Sequence, residues 1–523
     1  MMASSSNVFL QAIAGESWID VGRDSHITYS MSSSYGVGWT DAQKQEFAAA
    51  LQSYADVSNL TFELTADDNA ADIVEYQVTS AQFAAAFPSS PYGAYGANWA
   101  GYHYSPDEAG QTGPVGGYFD QEKISSWLIF HELLHGLGLE HPHTAIHGTG
   151  VFPGVTVNVG NDLGDYGLNN SLNTLMSYAF LPGYESAEFD GPMAMDIAAL
   201  QLLYGVNTNT ASGDDVYVVA RDKFKAIWDS GGVDWLVAGT DSGAILDLRP
   251  ATLALGDGAG GYLSAASGFA GGYSIAYGAE IENARGGAGA DILVGNSLAN
   301  RLEGGDGNDT YYTNDVNDII SDSGGFDTLY TYVNGGLSWG DGIERIYALG
   351  SAKVVVGNEL NNVIIGKNNN GVKLSGYSGD DGIVGGGGND VIFGGSGNDT
   401  LIGNIGADFL VGNDGSDRFV FNRTVESTNS RRDFIADFQQ GFDLIDLHSI
   451  DGSTKSAGDQ AFTWVGANAF HGVAGELRYF YFDRPGTGAD RTTIMADVNG
   501  DRVSDMTLVL KGLVPLSAAD FIL

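Results

Sequence analysis

The sequence predicts an α+β domain followed by an all-β domain wound as a parallel β-roll. Three observations carry this: helix signals are confined to the part of the chain before Gly205, glycine becomes dense beyond it, and aspartate there recurs every nine residues. In the best-kept run of these units the eighth place is always apolar, as expected of stacked repeats that bury one residue each.

Taken in order, the segment from Thr40 to Val57 opens with a Thr40/Gln43 capping box and sets Phe47, Leu51, Tyr54 and Ala55 at helical spacing. Short β-prone runs follow at 60–64 and 73–78, then a Gly/Tyr/Ser-rich stretch from Pro88 to Tyr104 that reads as surface loop. A second helix is predicted from Ser126 to Leu137. A third, from Pro192 to Tyr204, has proline at its start and Gly205 at its end. The polar stretch from Asn207 to Gly213 marks the expected boundary between residues 1–206 and 207–523.

Composition narrows the function. The 523 residues carry 65 acidic and 23 basic side chains, a net charge of −42. Apolar residues still make up 43%, so the chain has enough apolar surface to fold. Such acidity disfavours nucleic acid and anionic membranes and favours cations. No apolar run reaches the roughly 18 residues of a membrane helix, so no membrane insertion is expected. With 76 glycines but only 11 prolines, the chain is neither collagen-like nor a Pro-rich linker. There is no cysteine, which removes disulfides, thiolate metal sites and thiol nucleophiles. The first charged residue is Glu16, so the start lacks the basic region of a cleaved secretory signal.

The most informative stretch is FHELLHGLGLEH, residues 130–141. On a helix His131 and His135 stand one turn apart on one face, so both imidazoles can meet one zinc ion. Gly138 can take the left-handed conformation that ends the helix and lets His141 reach back as a third ligand. Three neutral ligands leave an open position for water. Glu132, from the next helical place, can contact that water as general base. His143 and His147 fit no register and are expected at the surface or rim.

The pattern HExxHxxGxxH, followed by Met176, Ser177 and Tyr178 in NTLMSY, resembles that of the metzincin endopeptidases. The MSY run is similar to the serralysin and astacin branches, and the lack of cysteine together with the nonapeptide tail makes serralysins the closer match. The resemblance also covers LTFEL, Gly116 to Asp120, DIAALQLLYG and IENARGGAGAD. It implies a metzincin catalytic domain with one catalytic zinc, a methionine turn at Met176, and Tyr178 as a retractable zinc ligand that stabilises the oxyanion. It also implies a rim strand at 116–120 that pairs with extended protein or peptide substrates. After His141 the chain reads PHTAIHGTG where serralysins have a Pro-Gly-Asp turn, a departure that bears on the lining of the site.

Units of the form GGxGxDxUx offer turn carbonyls and a sixth-place carboxylate to calcium, and their eighth residue to a core. Five run from Gly376 to Val420, with Asp381, Asp390, Asp399, Asp408 and Asp417 in sixth place and Ile383, Ile392, Leu401, Leu410 and Phe419 in eighth. Gly386, Gly388, Gly395, Gly397, Gly406 and Gly415 are the accompanying glycine ligands. Three earlier units, residues 286–312, supply Gly287, Gly289 and Asp291, then Gly305, Gly307 and Asp309, around a middle unit with Asn300. Loops two units apart stack, so Asp381 pairs with Asp399, Asp390 with Asp408, Asp399 with Asp417, and Asp291 with Asp309. Residues 313–375 hold degraded units. These nonapeptides resemble RTX repeats, and WDSGGVD, with Asp229 and Asp234, resembles the serralysin calcium loop before the roll. Asp497 to Asp505, DVNGDRVSD, reads more simply as a hairpin turn than as a calcium loop.

The expected protein is thus a secreted, extracellular, monomeric zinc endopeptidase stabilised by several calcium ions. The resemblance implies export through a type I secretion apparatus, with the final DFIL similar to an uncleaved secretion signal. The alternative is a cell-surface RTX protein with a vestigial protease domain, acting in adhesion or surface structure. A vestigial domain would tolerate loss of Glu132 or a histidine, and here all are present.

Overall fold

A computed structural model describes residues 7–523 apart from 16, 19–23, 87–100, 104–114, 146–149, 185, 336–341, 368–369 and 487. His147 and nearly all of the loop expected at 88–104 lie outside the described residues. The chain forms two compact units, Met1–Arg285 and Gly286–Leu523.

In the first unit the helices are α1 (Val8–Ile13), α2 (Asp41–Val57), α3 (Ser80–Ala86), α4 (Ser126–Gly136) and α5 (Ala194–Tyr204). The Thr40/Gln43 capping box is formed, and α2 buries Phe47, Ala50, Leu51, Tyr54 and Val57. A sheet of β1 (His26–Ser32), β2 (Thr61–Leu64), β3 (Ile73–Val78), β4 (Gly101–His103) and β5 (Val115–Asp120) has the order β2-β1-β3-β5-β4. Its strands are parallel except β4, which runs antiparallel to β5. The segment expected as rim, 116–120, is therefore an interior strand, and β4 takes the edge. The cause is Phe119, fully buried and packed edge-on against Trp39 and Phe47, which ties β5 into the core.

Two long-range hydrogen bonds hold the C-terminal end of α4. The Trp18 indole N–H donates to the Gly136 carbonyl at 2.7 Å, and the Tyr204 hydroxyl to that of Leu137 at 2.7 Å. Tyr54 on α2 donates to the Phe130 carbonyl at 2.7 Å. After Tyr204 every described α-helix has ended. The remainder of this unit holds short parallel pairings, such as Phe224–Ile227 with Gly272–Ile275.

The second unit is built of stacked parallel strands whose partners lie mostly 18 residues apart: Leu293 opposite Tyr311, Tyr311 opposite Leu329, Ile383 opposite Leu401, Ile392 opposite Leu410. Such parallel, strand-rich sheets are what a roll of nine-residue units requires. The eighth-place residues Ile383, Ile392, Leu401, Leu410 and Phe419 are all fully buried. The degraded stretch keeps this register in part, since Ile320, Leu329, Ile364 and Leu374 are buried in the same role. DVNGDRVSD links the antiparallel strands Arg491–Asp497 and Met506–Lys511, so the hairpin is present. Its connection is longer than a two-residue Asn-Gly turn, and the Asp497 carboxylate accepts from the Gly500 and Arg502 N–H groups inside it.

Candidate metal centre and carboxylate ladder

Helix α4 starts at Ser125, whose hydroxyl accepts from the Leu128 N–H, and ends in a Schellman turn. The Leu139 N–H bonds the Leu134 carbonyl at 2.9 Å, and Gly138 has φ of 89°, a conformation costly for any residue with a Cβ. This reversal sends His141 back over the helix and leaves the Leu139 carbonyl facing His135.

Two imidazoles are fixed by backbone carbonyls. His131 Nδ1 lies 2.7 Å from Leu175 O, and His135 Nδ1 lies 2.8 Å from Leu139 O. A carbonyl can only accept, so each Nδ1 carries the proton and each Nε2 is left with a lone pair. These Nε2 atoms lie 3.1 and 3.0 Å from that of His141. One proton on His141 could satisfy only one neighbour, whereas one cation satisfies all three. Ligands at tetrahedral angles and Zn–N distances near 2.05 Å would be about 3.3 Å apart. The donor set therefore fits zinc. Burial first, and neighbouring imidazoles second, push His131 and His141 well below the usual histidine range, keeping both neutral as ligation demands.

Glu132 is buried beside His131. The Tyr178 ring lies 4.6 Å from that of His141 and 5.3 Å from that of His131, and Met176 is fully buried. His143 departs from its expected place: it is 4% exposed, packs 5.0 Å from Tyr178, and has a buried Nδ1 without a partner. Burial pushes its pKa down to about 4. Packing against the rings of His141 and Tyr178 outweighs the polar setting that HPHT suggests.

Three participants have no signal in the His motif. Trp127, one turn before His131, packs against it at 4.7 Å. Asp196, on α5, accepts from Thr174 Oγ1 at 2.5 Å, the Leu175 N–H at 2.8 Å and the Met193 N–H at 3.0 Å. It therefore fixes the turn whose Leu175 carbonyl orients His131, and its place in the first turn of α5 was the available clue. Asp215 joins Asp229 and Asp234 in a cluster of carboxylate oxygens within 4.8 Å of one another.

The sixth-place aspartates form a ladder. The Asp381 N–H donates to Asp399 Oδ1 at 2.9 Å, Asp390 to Asp408 at 2.7 Å, Asp399 to Asp417 at 2.9 Å, and Asp291 to Asp309 at 2.8 Å. The pairs expected from the two-unit stacking are thus brought together. The ladder continues past the repeats, from Asp408 to Asp433 and from Asp417 to Asp443, residues the nine-residue pattern does not reach. The second carboxylate oxygens of Asp234, Asp381, Asp399, Asp408, Asp417 and Asp433 are buried without partners. Burial raises the pKa of Asp399 to about 6, of Asp381, Asp408 and Asp417 to about 7, and of Asp433 to about 8. Rows of buried, unsatisfied hard oxygens fit calcium. Glycines 287, 289, 305, 307, 386, 388, 397, 406 and 415 lie in the turns between these aspartates, while Gly395 falls inside the strand Val391–Ser396.

The family model described as peptidase M10 serralysin C terminal matches residues 194–338 and 355–523. Among curated relatives, metallopeptidase AprA of Pseudomonas marginalis is 32% identical over 282 residues, covering 49% of this chain and 55% of the relative. Serralysin G of Dickeya chrysanthemi is 33% identical over 291 residues, 51% of this chain and 56% of the relative. Serralysin of Proteus mirabilis is 31% identical over 330 residues, 54% of this chain and 61% of the relative. The chain thus spans little more than half the length of the relatives it matches. With more than half of its residues within the family model, and His131, His135 and His141 brought together, the chain belongs to the serralysin-type metzincins.

Proposed function

We propose that the chain is a secreted, zinc-dependent endopeptidase that cleaves extracellular proteins, with a catalytic domain at 1–206 and a calcium-folded roll over 207–523. The observation that carries this is the convergence of His131, His135 and His141 through their Nε2 atoms, with backbone carbonyls fixing the tautomers of His131 and His135. The roll reading rests on the buried, unpartnered aspartate oxygens. The relatives named metallopeptidase, metalloprotease or serralysin support the same reaction class.

Zinc, when bound, supplies Lewis acidity toward water and the scissile carbonyl. Glu132 takes the proton of the attacking water and hands it to the leaving amine. The Tyr178 hydroxyl donates to the developing oxyanion. Among the described strands β4 lies at the edge of the sheet, and its backbone would pair with an extended peptide, which makes cleavage tolerant of side-chain identity. Export by type I secretion suits a roll that stays unfolded at low calcium and folds outside. No helix among the described residues is long and apolar enough to cross a membrane.

The test is casein hydrolysis by the purified chain, with and without a zinc chelator, alongside Glu132→Ala. Activity that survives either treatment would refute the assignment; so would a vestigial domain, inert whether or not zinc is supplied.

A further inference from the structure

His143 lies outside the metal trio but is built into its wall, in the segment that departs from the serralysin turn. Its ring is 5.1 Å from that of His141 and 5.0 Å from that of Tyr178. The backbone around it is pinned twice. The Phe152 N–H donates to the Pro142 carbonyl at 2.9 Å, and the Asn158 N–H to the His143 carbonyl at 2.7 Å. Two residues after Asn158 comes Gly160, which is buried. A Cβ there would stand 3.0 Å from Tyr178 Cδ2 and 3.2 Å from His143 Nε2.

We propose that His143 and Gly160 are positioning residues that hold the Tyr178 ring against the zinc-binding imidazoles. This rests on the endopeptidase reading, in which the Tyr178 hydroxyl donates to the oxyanion.

The Tyr178 ring has His141 at 4.6 Å, His143 at 5.0 Å, His131 at 5.3 Å and Trp127 at 6.3 Å. His131 and His141 belong to the metal trio, so His143 is the nearer of the two rings that can serve Tyr178 alone. Tyr178 is only half-buried, and its χ1 and χ2 must be settled by what packs against it. The setting matters, because a misplacement of about 1 Å can cost about 10²-fold in rate.

The buried Nδ1 of His143 has no partner. This nitrogen ties the imidazole to nothing, so what His143 gives Tyr178 is the face of a ring. Gly160 supplies the matching space. Its φ lies outside the left-handed region, so the closeness of the two rings, and not the backbone, calls for glycine. An added methyl would press on both rings at less than the roughly 3.5–4.0 Å of ordinary carbon contacts.

The experiment uses the full zinc-loaded chain and a peptide substrate. kcat and KM are measured for the wild type, His143→Ala, His143→Phe and Gly160→Ala, each with Tyr178 intact and as Tyr178→Phe. The expected result is a fall in kcat of about tenfold in His143→Ala and a smaller fall in Gly160→Ala, with KM nearly unchanged, and recovery in His143→Phe, which keeps a ring. In the Tyr178→Phe background, where no hydroxyl is left to position, His143→Ala should lower kcat by less than about twofold. Zinc counted by atomic emission should stay at one per chain, and crystals of zinc-loaded His143→Ala should show Tyr178 in more than one ring position. Equal losses in both backgrounds, a His143→Phe as impaired as His143→Ala, or a single unmoved Tyr178 ring overturns the positioning role. Loss of zinc from His143→Ala also overturns it, by assigning His143 to the metal ligands instead. A zinc-loaded wild type without activity overturns the endopeptidase reading, and the crystals then still decide where Tyr178 is held. Gly160→Ala, a change of one methyl, keeps the test decisive if His143→Ala does not fold.

Discussion

Glu132, next to His131 in the chain, and Tyr178, whose ring packs against those of His131 and His141, have separable duties in the proposed mechanism. Replacing Glu132 by Gln should lower kcat/KM by about 10²–10⁴-fold, the usual worth of a positioned general base, while zinc content measured by atomic emission stays at one per chain. Tyr178→Phe should lower kcat by about 10²-fold or more with KM nearly unchanged, because an oxyanion donor acts only in the transition state. The His spacing made this part readable, since one turn of helix and one glycine reversal suffice to converge three side chains. His143 was not readable, because its burial depends on Tyr178 packing over it from 35 positions away. Asp196 was hidden for a related reason: its partners Thr174, Leu175 and Met193 come together only after α5 has docked. Asp196→Ala removes three buried hydrogen bonds and should cost on the order of 3 kcal/mol, read from denaturant unfolding.

Among the elements, α2, α4 and α5 and the early strands fell near their predicted places, because caps and period are local signals. The edge of the sheet did not, since strand order is decided by which aromatic residues reach the core. In the roll, the element is one turn of two units. Leu401→Ala, at a fully buried eighth place, should cost about 2–5 kcal/mol, seen as a higher calcium requirement for the β signal in circular dichroism. The aspartates of the ladder give a pH prediction for the calcium-free roll. Their folded pKa values, about 6 to 8, lie above the ordinary 3.8, so the folded state binds more protons than the unfolded one. Their contribution is fully present below pH 3.8 and is lost as pH rises through 6 to 8. In chelator, acidification toward pH 4 should restore β signal that is missing at pH 8, and added calcium should remove this dependence.

For the molecule as a whole, a net charge of −42 opposes compaction, and on the proposed reading calcium is the counterweight. If only the folded roll binds it, each site held at 100 times its dissociation constant adds about 2.7 kcal/mol, so four sites add about 11 kcal/mol. The unfolding temperature should climb steadily with free calcium in a calorimetric titration; a temperature indifferent to calcium would contradict the ladder. At this scale the two arrays were plain from the repeats. The continuity between them was not, because residues 313–375 lose the regular glycine spacing while retaining the apolar eighth places that hold the stack. The hydrogen bonds that join each aspartate to the one 18 residues on make the stack a chain of near-identical links. Each link leans on its two neighbours and on little else. Pulled from its ends in an optical trap, such a molecule should yield in a sawtooth, every tooth paying out one turn of 18 residues, about 6 nm of contour.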